Sequence, residues 1–257
     1  MADAFTWQDD GGAGPLPPHA TVLVSFPSVG FAATVAAHFM IRALDLPQVG
    51  TVDSDAFPPL AVVQAGRVQP PIRVHAKDDF AVVVSEFPVP LEQARALAGA
   101  ILAGAEARKA SLVLSVEGVV PHPVGPEENV ADESVWAVTA KPDAALQDRF
   151  AKAGARKLED GVLGGVSGAL LVEGLRRAIP TSTLLVSART VEGYPDHRAG
   201  AVLIETLDRL LPHLKIDTKP LRSQAEMIEK ALRAALKARS ASDAPSEGPP
   251  KDLTIYQ

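Results

Sequence analysis

The chain has 257 residues, a formal net charge of −6 and no cysteine, and 47% of its residues are hydrophobic although only 5% are aromatic. This composition is typical of a globular protein with an aliphatic core, and it excludes a disulfide framework and thiolate chemistry. The acidic balance argues against a nucleic-acid partner, and no run of about 18 apolar residues is present to span a membrane. The lack of cysteine fits a cytoplasmic protein.

The first part of the chain alternates apolar segments with an Ala-rich helical one. Residues 1–19 are acidic and rich in Gly and Pro, so we expect a disordered leader and no secretory signal. Residues 21–26 are apolar and β-branched, as in a strand buried on both faces, and residues 32–44 are predicted to form a helix. Short strands in local antiparallel hairpins are predicted at residues 49–53, 61–64 and 72–76.

The alternation continues in the second part of the chain. Apolar strands are predicted at residues 80–85, 111–116, 135–139 and 183–187. Helices are predicted at residues 91–109, 144–152, 166–178 and 198–211, and a long polar loop at residues 121–133. Strands that alternate with helices indicate an α/β fold, with a mainly parallel sheet flanked by helices. We therefore expect a single domain over residues 20–239.

The end of this domain is predicted to be an amphipathic helix. Ser223 and Glu226 have the spacing of a capping box, and an apolar stripe follows at Met227, Ile228, Ala231, Leu232, Ala235 and Leu236. The stripe can pack on its own domain or on a neighbouring subunit. Residues 240–257 are polar and contain proline, so we expect a flexible tail.

The loop between the first strand and the first helix is a candidate binding site. Ligands of α/β proteins tend to bind at the carboxyl ends of strands, and helix N-termini attract anions. This loop has one glycine, Gly30, and no following Lys-Ser/Thr, so it does not match a phosphate-binding loop. Two interpretations of Ser28 and Gly30 stay open: ligand or subunit contacts, or tight packing between strand and helix.

Three carboxylates, Glu86, Glu117 and Asp196, each follow an apolar segment. One interpretation is that they gather at one edge of the sheet, where a pair of carboxylates can do acid–base chemistry. The alternative is that they are solvated loop residues. For Asp196, the preceding proline and the following helix favour a helix cap.

The remaining motifs give little support to catalysis. Residues 161–168 contain Gly-Val-Ser-Gly, but residue 169 is alanine, so the G-x-S-x-G pattern of a serine hydrolase fails. Glycines at this density more often allow close approach between helix and sheet or between subunits. The six histidines show no metal-ligand spacing. We predict no enzyme activity, no cofactor and no metal.

Six segments, taken in order, resemble the archaeal and actinobacterial branch of the proteasome assembly chaperone family. They are residues 26–30, 57–59, 71–74, 85–88, 161–171 and 195–200. The family often has a second glycine where Ser28 stands. The resemblance implies an α/β fold similar to nucleoside phosphorylases but without an established catalytic constellation. It also implies homo-oligomers, which we expect to contain three to five subunits, and a role in proteasome assembly or activation in archaea.

The last three residues, Ile255, Tyr256 and Gln257, resemble the hydrophobic-Tyr-any ending of proteasome activators and assembly factors. Such endings dock between α-subunits of the 20S proteasome. By this resemblance the Gln257 carboxylate pairs with a pocket lysine, Tyr256 packs its ring and Ile255 fills an apolar groove. The alternative is a phosphorylase-like or ATP-dependent ligase-like enzyme acting on a small molecule, although we find no ATP-site residues in the sequence.

Overall fold

A computed structural model describes residues 5–10, 16–55, 57–120, 133–189 and 194–242. The strands are β1 (Thr6–Asp9), β2 (Thr21–Ser25), β3 (Gln48–Asp53), β4 (Val62–Gln64), β5 (Arg67–Gln69), β6 (Ile72–Lys77), β7 (Phe80–Ser85), β8 (Leu112–Val119), β9 (Val135–Thr139), β10 (Ala155–Lys157) and β11 (Thr181–Ser187). The helices are α1 (Ala32–Ala43), α2 (Leu91–Ala107), α3 (Ala144–Lys152), α4 (Gly165–Arg177), α5 (His197–Leu210) and α6 (Lys219–Ser242).

Nine of the strands form one sheet in the order β1-β3-β6-β7-β2-β8-β11-β9-β10, and β4 and β5 form a separate hairpin. Strands β7, β2, β8 and β11 in the centre are parallel. Antiparallel pairs join β1, β3, β6 and β7 on one side and β11 and β9 on the other, and β9 and β10 are parallel. The α/β fold is confirmed, with parallel pairing in the middle of the sheet and antiparallel pairing at β3–β6, as expected for the early short strands.

Each face of the sheet has its own apolar core, because successive side chains of a strand point to opposite faces. One core contains Leu23 of β2 and Leu114 of β8, with residues of α1, α3, α5 and α6. The other contains Val22 of β2 and Val113 of β8, with residues of α2 and α4. A residue's position along its strand therefore decides which set of helices it meets.

The expectation of a disordered leader over residues 1–19 is wrong for the residues that the structure describes. Strand β1 pairs antiparallel with β3. The Arg108 side chain of α2 lies 5.2 Å from the Trp7 ring, and its Nη2 donates to Asp9 Oδ2 at 2.5 Å. Leu16 is buried as well. These contacts come from distant parts of the chain and outweigh the weak strand preference of this Gly/Pro-rich region.

Helix α6 begins at Lys219, one turn before the predicted capping box, and Asp217 Oδ1 accepts a hydrogen bond from the Lys219 amide at 3.0 Å. Arg222 holds the helix to α5, because its Nε and Nη2 donate to the two carboxylate oxygens of Glu205 at 2.9 and 2.8 Å. Met227 of the predicted stripe is 65% exposed. The predicted tail from residue 243 on and the loop over residues 121–132 lie outside the described residues.

Within the described ranges, none of the helices combines the length and the hydropathy that a membrane crossing requires.

Candidate functional site

Ser28 and Gly30 are both engaged in local packing. Ser28 Oγ accepts a hydrogen bond from the Gly118 amide at 2.9 Å, which ties the loop to the end of β8. Gly30 has φ +63°, and a Cβ there would lie 2.5 Å from the carbonyl oxygen of Arg189. The Gly30 carbonyl also accepts from the Asp196 amide at 2.7 Å. Of the two interpretations, these contacts support tight strand-to-helix packing.

Asp196 is the N-cap of α5, as the sequence predicted. Its Oδ1 accepts from the Ala199 amide at 2.9 Å, and its Oδ2 accepts from the Arg189 amide at 2.8 Å. Both carboxylate oxygens are therefore used to join the start of α5 to the residues after β11. An N-cap of this kind typically contributes about 1 kcal/mol to stability.

Glu86 lies in a charged cluster with Arg73 and His38. Arg73 on β6 is 2% exposed, and its Nη2 donates to Glu86 Oε1. His38 Nε2 on α1 lies 2.9 Å from the same oxygen. Burial alone would raise the pKa of Glu86, but the hydrogen bonds from His38 and Arg73 outweigh it and lower the pKa to about 2. Glu86 is thus ionised at any physiological pH and compensates a buried cation.

This cluster forms part of a groove of about 350 Å³ between α1, the start of α5 and the first turn of α6. Its lining includes Thr34, His38 and Arg42 of α1, Glu86, and Leu221 of α6. The volume falls in the usual range for small-molecule sites, and the mixture of apolar walls with a few polar groups is typical of them. The groove is the candidate functional site of the described chain.

Glu117 lies at the same edge of the sheet as Glu86 but on the opposite face, since it alternates with Val116 of the α1-side core. It lines a cavity of about 100 Å³ at the start of α4. Burial raises the pKa of Glu117, and a hydrogen bond with Ser167 offsets only part of this rise. The structure therefore separates Glu86 from Glu117, and of the two interpretations it does not support one site shared by the three carboxylates.

The glycine-rich segment over residues 161–168 leads into α4. A Cβ on Gly168 would lie 2.2 Å from the carbonyl oxygen of Leu163, so the segment turns tightly against the first turn of the helix. Ser167 is buried and interacts with Glu117. The glycines of this segment do not show the expected approach between helix and sheet, because Gly164 and Gly165 have nothing within 4 Å and Gly168 meets only the preceding loop.

Sequence reasoning selected Glu86 but missed its partners. The available signal was Arg73, a charged residue between the apolar Ile72 and Val74 of a predicted strand. A buried guanidinium requires a carboxylate nearby, and Glu86 at the end of the next strand is close in sequence. His38 had no comparable signal, because a histidine on a helix has many structural roles. The predicted docking residues Ile255, Tyr256 and Gln257 lie outside the described residues.

Comparisons with known proteins agree with this architecture. The PAC2 family model matches residues 22–236. The uncharacterized protein MJ0106 of Methanocaldococcus jannaschii is 28% identical over 212 residues, which are 82% of this chain and 83% of that protein. The crystal structure of Pyrococcus furiosus PbaA, an archaeal homolog of proteasome-assembly chaperone, matches with a TM-score of 0.78 and 26% identity over 93% of this chain and 94% of PbaA.

The fold extends to a more distant relative. Pyrococcus furiosus PbaB, an archaeal proteasome activator, matches with a TM-score of 0.74 and 18% identity over 91% of this chain and 99% of PbaB. At this identity the likeness concerns the fold. The family model spans nearly the whole folded region, from β2 into α6, and the resemblance carried by the six sequence segments is thereby confirmed. The chain belongs to the PAC2 family.

Proposed function

We propose that this chain is a proteasome assembly chaperone or activator that binds the α-ring of the 20S proteasome. The observation that carries the proposal is the match to PbaA, an archaeal homolog of proteasome-assembly chaperone, over 93% of this chain. PbaB, a proteasome activator, has the same fold. A role on the proteasome is thus the function that the chain's relatives favour.

The contacts at Ser28, Gly30 and Asp196 argue against chemistry at these three residues. Ser28 and Asp196 are occupied by hydrogen bonds to backbone amides, and Gly30 is packed against the Arg189 carbonyl. A phosphorylase-like or ligase-like enzyme that used these groups on a small molecule would have to break the local structure.

The proposed docking element is the C-terminal tripeptide Ile255, Tyr256 and Gln257. A tripeptide buries about 200 to 300 Å² of apolar surface, or about 5 to 8 kcal/mol at 25 cal/mol/Å². The entropy cost of docking cancels most of this energy, so one tail binds weakly. A homo-oligomer of three to five subunits presents several tails and increases the avidity by about 10² to 10⁴. Oligomerisation is therefore part of the proposed mechanism.

The test is capture of purified 20S proteasome, or of isolated α-subunits, by the intact chain and by a chain that lacks residues 255–257. We expect capture by the intact chain and its loss on truncation. Tyr256→Ala should behave like the truncation, whereas the matched tail substitution Lys251→Ala should retain capture. Peptide-hydrolysis rates of the captured proteasome then separate an activator, which raises them, from an assembly factor.

Two results would contradict the proposal. Equal capture by the intact and truncated chains would assign recognition to the folded domain and reject the tail. The absence of capture by either chain, at concentrations at which the oligomer is present in sedimentation experiments, would reject the proteasome as the partner.

A further inference from the structure

The groove beside Glu86 has a regular arrangement of side chains along α1. Apolar residues occur at Phe31, Val35 and Phe39, and polar residues at Thr34, His38 and Arg42, and all six line the groove. Residues spaced by four lie on one face of a helix, so α1 presents an apolar row beside a polar row. The apolar row can pack against the hydrocarbon part of a ligand. The polar row offers hydrogen-bond acceptors at one end and a cation at the other.

One end of the polar row has hydrogen-bond acceptors without a donor. Thr34 is 9% exposed, and its buried Oγ1 has no partner among the described residues. Glu86 Oε2 is also buried and without a partner there, because Arg73 and His38 both donate to Oε1. An unpaired buried polar group costs about 1 to 3 kcal/mol. Thr34 Oγ1 and Glu86 Oε2, at the floor of the groove, can therefore accept hydrogen bonds from a donor group of a ligand.

The other end of the polar row carries a cation. Arg42 is exposed, and no described carboxylate pairs with it. Thr34 and Arg42 are eight residues apart on α1, about 12 Å along the axis. Long side chains on a helix lean towards its N-terminus, so the guanidinium reaches back over the groove. The Thr34 hydroxyl and the Arg42 guanidinium are then separated by about 8 to 12 Å.

Phe31, at the entrance, has an unusual conformation. It has φ +51°, in the left-handed region that bulky residues rarely adopt, and its side chain is 51% exposed. Backbone strain of this kind is concentrated at ligand sites, where it holds a side chain in position. An exposed aromatic ring at the mouth of an apolar row gives a ligand a flat hydrophobic surface.

We propose that this groove binds short peptides of about three residues with free termini. The peptide ammonium donates to Glu86 Oε2 and Thr34 Oγ1, apolar side chains pack against Phe31 and Phe39, and the terminal carboxylate pairs with Arg42. A chain of three residues spans about 10 Å, which matches the separation of the two ends. The site goes beyond the proposed docking to the proteasome, since it does not involve residues 255–257.

The test uses isothermal titration of the full-length protein with Ala-Phe-Ala and with two capped forms of the same peptide. N-acetylation removes the ammonium and C-terminal amidation removes the carboxylate, while the apolar body is unchanged. We expect the free peptide to bind, and each cap to weaken the affinity by about tenfold or more, as for loss of a charged hydrogen bond.

Variants assign each end of the peptide to its residue. Arg42→Gln should abolish the preference for the free acid over the amide while it keeps the preference for the free ammonium. Thr34→Val should reduce the preference for the free ammonium instead. Arg67→Gln, an exposed arginine on the β4–β5 hairpin, is the matched control and should keep both preferences. Thermal unfolding of each variant verifies that the fold is retained.

Three results would overturn the proposal. The first is the absence of heat with free Ala-Phe-Ala at millimolar concentration. The second is equal affinity for the free and the capped peptides. The third is an Arg42→Gln variant that discriminates between acid and amide as the original chain does.

Discussion

The cluster of Arg73, Glu86 and His38 leads to a quantitative prediction for Glu86→Gln. The substitution keeps the shape of the side chain but leaves the Arg73 guanidinium, 2% exposed, beside a neutral amide. Hydrogen bonds from His38 and Arg73 outweigh burial and lower the pKa of Glu86 from 4.5 to about 2. A shift of this size corresponds to at most about 3 kcal/mol of folding free energy. Because the Glu86 side chain is 31% exposed, solvent screening lowers the expected contribution to about 1 to 3 kcal/mol.

The sign of the pH dependence follows from the direction of the shift. Because the pKa of Glu86 is lower in the folded chain than in the unfolded chain, the stabilisation is complete above about pH 4.5 and decreases as the pH falls towards 2. At pH 7 the Glu86→Gln variant should therefore be less stable by about 1 to 3 kcal/mol. For a chain of this length the melting temperature should fall by about 2 to 12 °C. The difference between the two proteins should shrink as the pH falls below 4.5.

Urea unfolding at several pH values between 7 and 3, followed by circular dichroism, measures this difference. Glu106→Gln on the exposed side of α2 is the control and should change stability by less than about 0.5 kcal/mol. Adding Arg73→Met to Glu86→Gln should recover part of the loss, because the buried charge is removed with its partner. A loss below about 1 kcal/mol at pH 7, or a difference that does not change with pH, would refute the reasoning.

Two further substitutions test the other candidate residues. Gly30→Ala should destabilise the domain by about 2 kcal/mol or more, because alanine disfavours φ +63° and its Cβ would meet the Arg189 carbonyl at 2.5 Å; a melting temperature equal to that of the original chain would contradict this. Glu117→Gln should stabilise the domain at pH 7, since burial raises the pKa of Glu117 and folding stability falls as the pH rises from 4.5 to that raised value. Urea unfolding at pH 4 and 7 checks this sign, and a variant less stable than the original at pH 7 would reject it.

The order of the helices and the central strands could be predicted from the sequence because local signals and tertiary packing agree there. The segment at β2 is mostly apolar, and all of its residues are buried between two layers of helices. Asp196 follows a proline and precedes an apolar helix, and it caps that helix. At such positions the residue pattern alone fixes the local structure, so a single sequence is sufficient.

Strand β1 could not be predicted because nothing in its own residues requires a strand. Thr6–Asp9 is short, mostly polar and exposed, and it follows the pattern of a leader. It is held by pairing with β3 and by Arg108, about a hundred residues away in the chain. Contacts of this kind depend on the completed fold, and sequence periodicity over a short window does not detect them.

The candidate groove shows why carboxylates that share one edge of a sheet can have different partners. From the sequence, Glu86, Glu117 and Asp196 either gather at one edge of the sheet or are solvated loop residues. The edge is shared, but the strand alternation directs Glu86 towards α1 and Glu117 towards α4. Counting the alternation from the nearest buried apolar residue, Val84 for Glu86 and Val116 for Glu117, would have separated them. It would also have placed Arg73, which pairs with Val84, on the α1 side with Glu86. Strand register therefore decides which charged side chains lie on the α1 side of the sheet. The identity of a residue indicates its role only once the face of the sheet that it occupies is known.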